Sequence, residues 1–191
     1  MQLRKSTQYL NEVPKKIINS VNSPDLNFGF SMNPYQGCEH GCIYCYARNT
    51  HAYWGLSPGI DFETKILIKP EAPKLLEAEL MKKSWKPSPI MLSGNTDCYQ
   101  PAERKFKITR QLLEVALKFR NPVGMITKNK LILRDLDLLK QLAQLNLVHV
   151  MISITSLDEE LRLNMEPRTA TAKNRLEVVR TLNTNGIPTG V

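Results

Sequence analysis

No apolar run in the sequence reaches the roughly 18 residues that a membrane-spanning helix requires, so no membrane association is expected. The N-terminal stretch Met1-Gln2-Leu3-Arg4-Lys5-Ser6-Thr7 is polar and lacks the apolar core of a signal peptide. These two absences predict a cytoplasmic protein. Cysteine is scarce, with 4 among 191 residues. Without a secretory signal these do not read as a disulfide framework. With 9 Gly and 12 Pro the composition is neither collagen-like nor mucin-like. At 42% hydrophobic and 23% charged, it is not that of a disordered chain either. No internal repeat stands out.

What the chain has in excess is positive charge. Its 26 Lys and Arg outweigh 18 Asp and Glu, for a net charge of +8. Such a balance favours anionic partners such as nucleic acid, phosphates or an acidic protein. Most of these cations are nevertheless expected on solvated helix faces.

Residues 1–28 are polar, are broken by Pro14 and Pro24, and read as an N-terminal extension. Residues 28–33 form a plausible first strand, stopped by Pro34. Beyond a short apolar run at 66–68, an alternation sets in. Buried strands are predicted at 89–93, 123–127 and 148–154, and helices at 72–83, 103–119, 131–145, 158–164 and 172–185. Gly186 serves as the stop of the last helix. Ile187 begins what reads as a further strand. Short apolar strands alternating with amphipathic helices imply an α/β fold with parallel strands and helices outside. An eight-unit barrel takes about 250 residues. Residues 29–191 are therefore expected to form a partial (β/α) barrel of TIM type with its C-terminal strands missing, a piece of a larger one.

Three cysteines, Cys38, Cys42 and Cys45, fall in the loop after the first strand, as Cys-x3-Cys-x2-Cys. Barrels place their chemistry at that end of the strands. Three thiolates on a four-iron cluster leave one iron without a protein ligand, open to substrate or cofactor. The alternative is structural zinc, which wants four ligands. His40 or His51 would complete a Cys3His set, although no second cysteine pair exists. Such a protein would be a zinc- or cluster-containing nucleic-acid-binding module rather than an enzyme. Cys98 stands apart and reads as a small, partly buried residue. His149, on a strand among Val and Met, reads as a core histidine. Trp54 and Trp85 read as packing residues, with base stacking as the alternative.

The order of these residues resembles the radical S-adenosylmethionine (SAM) enzymes, whose signature is Cys-x3-Cys-x-Tyr-Cys after the first strand. The wider set is similar to their spore photoproduct lyase-like branch. It comprises Asn33-Pro34-Tyr35-x-Gly37-Cys38, Cys45-Tyr46-Ala47-Arg48, Asn95-Thr96-Asp97-x-Tyr99-Gln100-Pro101-Ala102-Glu103, Ile126-Thr127-Lys128 and Glu166-Pro167-Arg168. The likeness runs from about Phe28 to the C-terminus.

The resemblance implies a [4Fe–4S] cluster on Cys38, Cys42 and Cys45, with SAM chelating the fourth iron. It also implies reductive cleavage of SAM to a 5′-deoxyadenosyl radical, and a reductant such as flavodoxin or ferredoxin. By the same likeness Tyr44 lies against the adenine, and Tyr46 lines the same wall. Both have ordinary aromatic packing as the alternative. Asn95, Thr96 and Asp97, Thr96 foremost, would offer acceptors to the SAM amino group, the alternative being a polar helix-capping turn. Lys128 would meet the SAM carboxylate or face solvent. Ser153 would approach the ribose hydroxyls or fill the core. Arg168 would pair with the SAM carboxylate or with Glu166. The branch carries a hydrogen-donor cysteine near the second strand end. Aligned on Thr96-Asp97, that position is Gly94 and not Cys98, so no catalytic residue is assigned. The substrate is open: the charge fits DNA repair, RNA modification and peptide modification equally, and the resemblance points to a nucleic acid through lyase-like DNA repair.

Overall fold

The structure is a computed structural model, and it describes residues 6–23 and 29–191. Phe28, the expected first residue of the opening strand, and the breaker Pro24 lie outside the described residues.

The chain begins with β1 (Gln8–Asn11) and β2 (Asn19–Ser20), followed by β3 (Phe30–Met32) and β4 (Tyr35–Gln36). Next come a 3-10 segment (Tyr46–Trp54), α1 (Asp61–Thr64), β5 (Lys65–Ile68), α2 (Ala72–Leu80) and β6 (Ile90–Leu92). The remaining elements are α3 (Ala102–Phe106), α4 (Ile108–Lys118), β7 (Val123–Thr127), α5 (Leu136–Gln144), β8 (Val148–Ile152), α6 (Glu159–Met165), α7 (Ala172–Thr184) and β9 (Thr189–Gly190).

One six-stranded sheet runs β2-β3-β6-β7-β8-β9. From β3 to β9 every pairing is parallel, and only β2 runs antiparallel. The βα alternation thus forms the expected parallel sheet, a partial barrel with helices on one face. A smaller sheet, β1-β5-β4, sits beside it. Tyr35 and Gln36, at the start of the expected cysteine loop, are strand residues paired with Ile68 and Leu67.

Register divides the strands into two faces. Ile90, Leu92, Val123, Met125, Val148, Val150 and Ile152 join Leu112, Leu139, Leu142 and Leu182 in one core. The alternate positions Met91, Gly124 and His149 lie side by side on the opposite face. The histidine expected in the core is therefore exposed. Period-2 geometry places it there, because its neighbours Val148 and Val150 occupy the helix-facing side.

Two expected helices are interrupted. The span 103–119 breaks at Lys107, which takes a left-handed φ of 53°. Glu103 stabilises the break by accepting the Thr109 and Arg110 amides at the start of α4, at 2.9 and 3.3 Å. It also accepts from the Tyr35 hydroxyl. The span 131–145 opens as a 3-10 turn, Lys130–Asp135, before α5. There Asp135 is fully buried, and Arg134 and Arg110 pair with it.

Candidate functional site

The cysteine loop is held open by backbone that only glycine adopts easily. Gly37 has φ +81°, and a Cβ there would meet the His51 ring at 2.8 Å and the Phe62 carbonyl at 2.9 Å. Gly41 has φ +68°, and the Arg168 guanidinium occupies the space of its missing side chain. Gln100, fully buried in the turn before α3, clamps the loop: its amide nitrogen donates to the Gly37 carbonyl at 2.9 Å, and its oxygen accepts the Glu39 amide at 3.0 Å. Arg48 reaches back to the Cys42 carbonyl at 3.0 Å and to Glu63 at 2.6 Å. Beneath the loop Cys38, Ala47 and Phe62 form a small core, with Cys45 packed against it.

Cys38, Cys42 and Cys45 are all free thiols. They line one cleft of about 260 Å³, together with the residues that follow β6, β7 and β8. Burial pushes the Cys42 thiol up to about 11 and the Cys38 thiol higher still, so a metal would have to displace their protons. Among the described residues no three His, Cys, Asp or Glu side chains converge as ligands of a single ion. His51, one candidate fourth ligand, turns away from the cleft to the Lys65 carbonyl at 3.0 Å.

His40, the other, is fixed by its neighbours. Asn129 accepts the Leu131 amide through its oxygen at 3.0 Å, so its amide nitrogen donates to His40 Nε2 at 3.2 Å. The ring proton therefore sits on Nδ1, 3.4 Å from Asp97. Burial lowers the His40 pKa, consistent with a neutral ring.

Asp97 is a brace. It accepts the Tyr99 amide at 2.8 Å, the Thr127 hydroxyl at 2.7 Å and the Lys128 amide at 2.8 Å. One carboxylate thus joins the ends of β6 and β7 to His40 of the cysteine loop. Thr96 donates its hydroxyl to the Tyr35 carbonyl at 2.6 Å, leaving its lone pairs as acceptors. The Asn95 amide is held by the Asn33 side chain at 3.0 Å. Tyr46 donates to the Gly94 carbonyl across the cleft.

Lys128 stands over the Tyr44 ring, 5.5 Å from its centroid, and 3.5 Å from Glu166. Tyr44 donates its hydroxyl to the same Glu166. Ser153 lines the cleft, and its carbonyl accepts from Arg175 at 2.8 Å. The sequence-predicted residues thus share one cleft, apart from Arg168. That residue lies behind the loop, bonded to the Glu39 carbonyl and to Glu63. Cys98 is fully buried outside the cleft; its carbonyl accepts from Thr109 at 2.6 Å. Trp85 packs on Phe30 and donates to Asn121 at 3.0 Å.

Sequence reasoning missed Gln100, Glu166 and Arg175. Gln100 stood within the motif strings without an assigned role, and Glu166 was read only as a partner for Arg168, which pairs with Glu63 instead. Arg175 had a signal of its own: with Ala172, Val178 and Leu182 it lies on the buried stripe of α7, where an arginine needs an anion.

Residues 32–191 match the family model described as the radical SAM superfamily. Among curated proteins, the uncharacterised Rv2578c of Mycobacterium tuberculosis is 34% identical over 174 residues, covering 91% of this chain and 51% of the relative. The uncharacterised MJ0683 of Methanocaldococcus jannaschii is 30% identical over 178 residues, covering 91% and 61%. The chain thus spans about half to three fifths of the length of these relatives. Among solved structures, spore photoproduct lyase complexed with dinucleoside spore photoproduct superposes with a TM-score of 0.67 at 15% identity, over 95% of this chain and 49% of that one. A mutant of that lyase with bound AdoMet and the dinucleoside gives a TM-score of 0.68 at 15% identity, with the same coverage.

Proposed function

The chain belongs to the radical SAM superfamily, and from that premise we propose that Cys38, Cys42 and Cys45 hold a [4Fe–4S] cluster whose fourth iron is left for SAM. The observation that carries this reading is the cleft itself. It gathers three free thiols with the polar ends of three parallel strands. A structural zinc site closes with four ligands, and His51, one candidate for the fourth, turns to the Lys65 carbonyl instead of the cleft. In a cubane each cysteine binds a different iron, so three thiolates suffice and one iron stays open.

When bound, the reduced cluster supplies the electron that cleaves the SAM sulfonium bond, giving methionine and a 5′-deoxyadenosyl radical that takes hydrogen from a substrate. The chain's own residues bind and orient. Lys128 presents a cation to the SAM carboxylate. Thr96, with its proton already committed to Tyr35, offers lone pairs to the amino group, and Asn95 stands beside it. Tyr44 and Tyr46 form the aromatic wall for the adenine, and Ser153 approaches the ribose. Asp97 fixes the spacing between these groups. Arg168 acts on the carboxylate only indirectly, by holding the loop.

The proposed substrate is a nucleic acid, and the reaction lyase-like, with a flavodoxin or ferredoxin as electron donor. Support comes from the +8 net charge and from the dinucleoside bound by the lyase that shares the fold. The test is anaerobic reconstitution with iron and sulfide, followed by dithionite and SAM. Formation of 5′-deoxyadenosine is expected. A protein with an intact cluster that binds SAM but forms none contradicts the reading.

A further inference from the structure

Glu166 has no exposed surface, and its carboxylate faces Arg175, Tyr44, Lys128 and, at 3.5 Å, the Thr169 hydroxyl. Arg175, itself buried, donates to one carboxylate oxygen at 2.5 Å. The Tyr44 hydroxyl donates to the other oxygen, and the Lys128 ammonium lies 3.5 Å from it. Tyr44 and Lys128 both line the cleft; Arg175 does not.

The segment carrying Glu166 is fastened on both sides. The Ile43 amide donates to the Met165 carbonyl at 3.0 Å, and the Arg168 amide donates to the His40 carbonyl at 3.2 Å. These two bonds tie the segment to the cysteine loop. A third, from the Ala170 amide to the Lys128 carbonyl at 3.2 Å, ties it to the end of β7. The carboxylate therefore hangs between two strand-end loops that must keep a fixed spacing.

We propose that Glu166 is a positioning residue for the cofactor: it sets the Tyr44 ring and the Lys128 ammonium at their separation, with Arg175 as its counterion. This deepens the SAM-binding reading and rests on it. Arg175 balances the buried Glu166 charge, and Lys128 is the cation with access to the cleft. Without Glu166, Arg175 repels Lys128 and Tyr44 loses its acceptor. Lys128 then swings towards solvent and no longer meets an anionic ligand in register.

The test is a double-mutant cycle read by SAM affinity of the reconstituted chain, with Glu166→Gln, Lys128→Met and the pair. Each single variant is expected to weaken SAM binding about tenfold, or about 1.4 kcal/mol. The pair is expected to lose no more than about threefold beyond Lys128→Met, because Glu166 acts through Lys128. Wild-type affinity in Glu166→Gln, or losses that multiply in the pair, overturns the assignment. If Glu166→Gln does not fold, Tyr44→Phe probes the same carboxylate without stranding a buried charge. A severalfold loss of SAM affinity supports the assignment, and an unchanged affinity refutes it. A wild-type chain that binds no SAM removes the parent reading and this assignment together. Wild-type binding with unaffected variants removes this assignment alone.

Discussion

Asp97→Asn isolates what holds the site together. The wild-type carboxylate faces the donors Tyr99 N–H, Thr127 O–H, Lys128 N–H and His40 Nδ1–H and has no protons of its own to oppose them. An amide keeps one acceptor oxygen and turns the other into a donor. If the oxygen stays with Tyr99 and Thr127, the new NH2 group points at the Lys128 amide and the His40 ring. His40 has an escape through its other tautomer, at the expense of its bond to Asn129. The Lys128 amide has none. A buried donor left unpaired costs about 1–3 kcal/mol, and weakening of the remaining charge-assisted bonds adds about 1 kcal/mol. The expected destabilisation is about 2–4 kcal/mol, which for a chain of this size lowers Tm by about 2–4 °C per kcal/mol. Urea unfolding of the two proteins, with the exposed Glu160→Gln as control, measures it. A loss below about 0.5 kcal/mol, the range of ordinary surface changes, refutes Asp97 as the brace.

Two further outcomes follow from the cysteine loop. Gly37→Ala places a methyl group against the His51 ring and the Phe62 carbonyl at positive φ. It is expected to cost at least about 1–2 kcal/mol from the backbone alone and to lower iron retention after reconstitution; wild-type iron content with an unchanged unfolding midpoint contradicts this. Burial raises the Glu63 pKa, but bonds from Arg48 and Arg168 outweigh it and hold the carboxyl below its ordinary 4.5. A depressed folded-state pKa contributes stability above the unfolded value and loses it as pH falls. The stability gap between wild type and Glu63→Gln should therefore be full at neutral pH and should close as pH falls below about 4.5. A gap that persists unchanged to lower pH contradicts the pairing.

Local patterns were legible in the sequence, and long-range satisfaction was not. The βα alternation showed because the helix-facing residues of β6, β7 and β8 are continuous apolar stripes. The three-cysteine spacing showed because it is confined to one loop. The break at Lys107 carries no glycine or proline; the signal that opens α4 is the Glu103 side chain, folded onto amides six and seven residues ahead. His149 read as core because a strand with two covered faces and one with a single covered face look alike when Val and Met surround the histidine. Glu166 and Arg175 read as unremarkable charges, because their meaning lies in a contact between a loop and a helix stripe.

The claim on which the account rests is that three thiols leave one iron open to SAM. Mössbauer spectroscopy of the 57Fe-reconstituted protein tests it most directly, with and without SAM. Four irons per chain in a cubane are expected, with one distinct site whose spectrum changes on SAM addition while the other three stay put. A protein that takes up one zinc and no sulfide, or a cluster whose four irons are all indifferent to SAM, contradicts it.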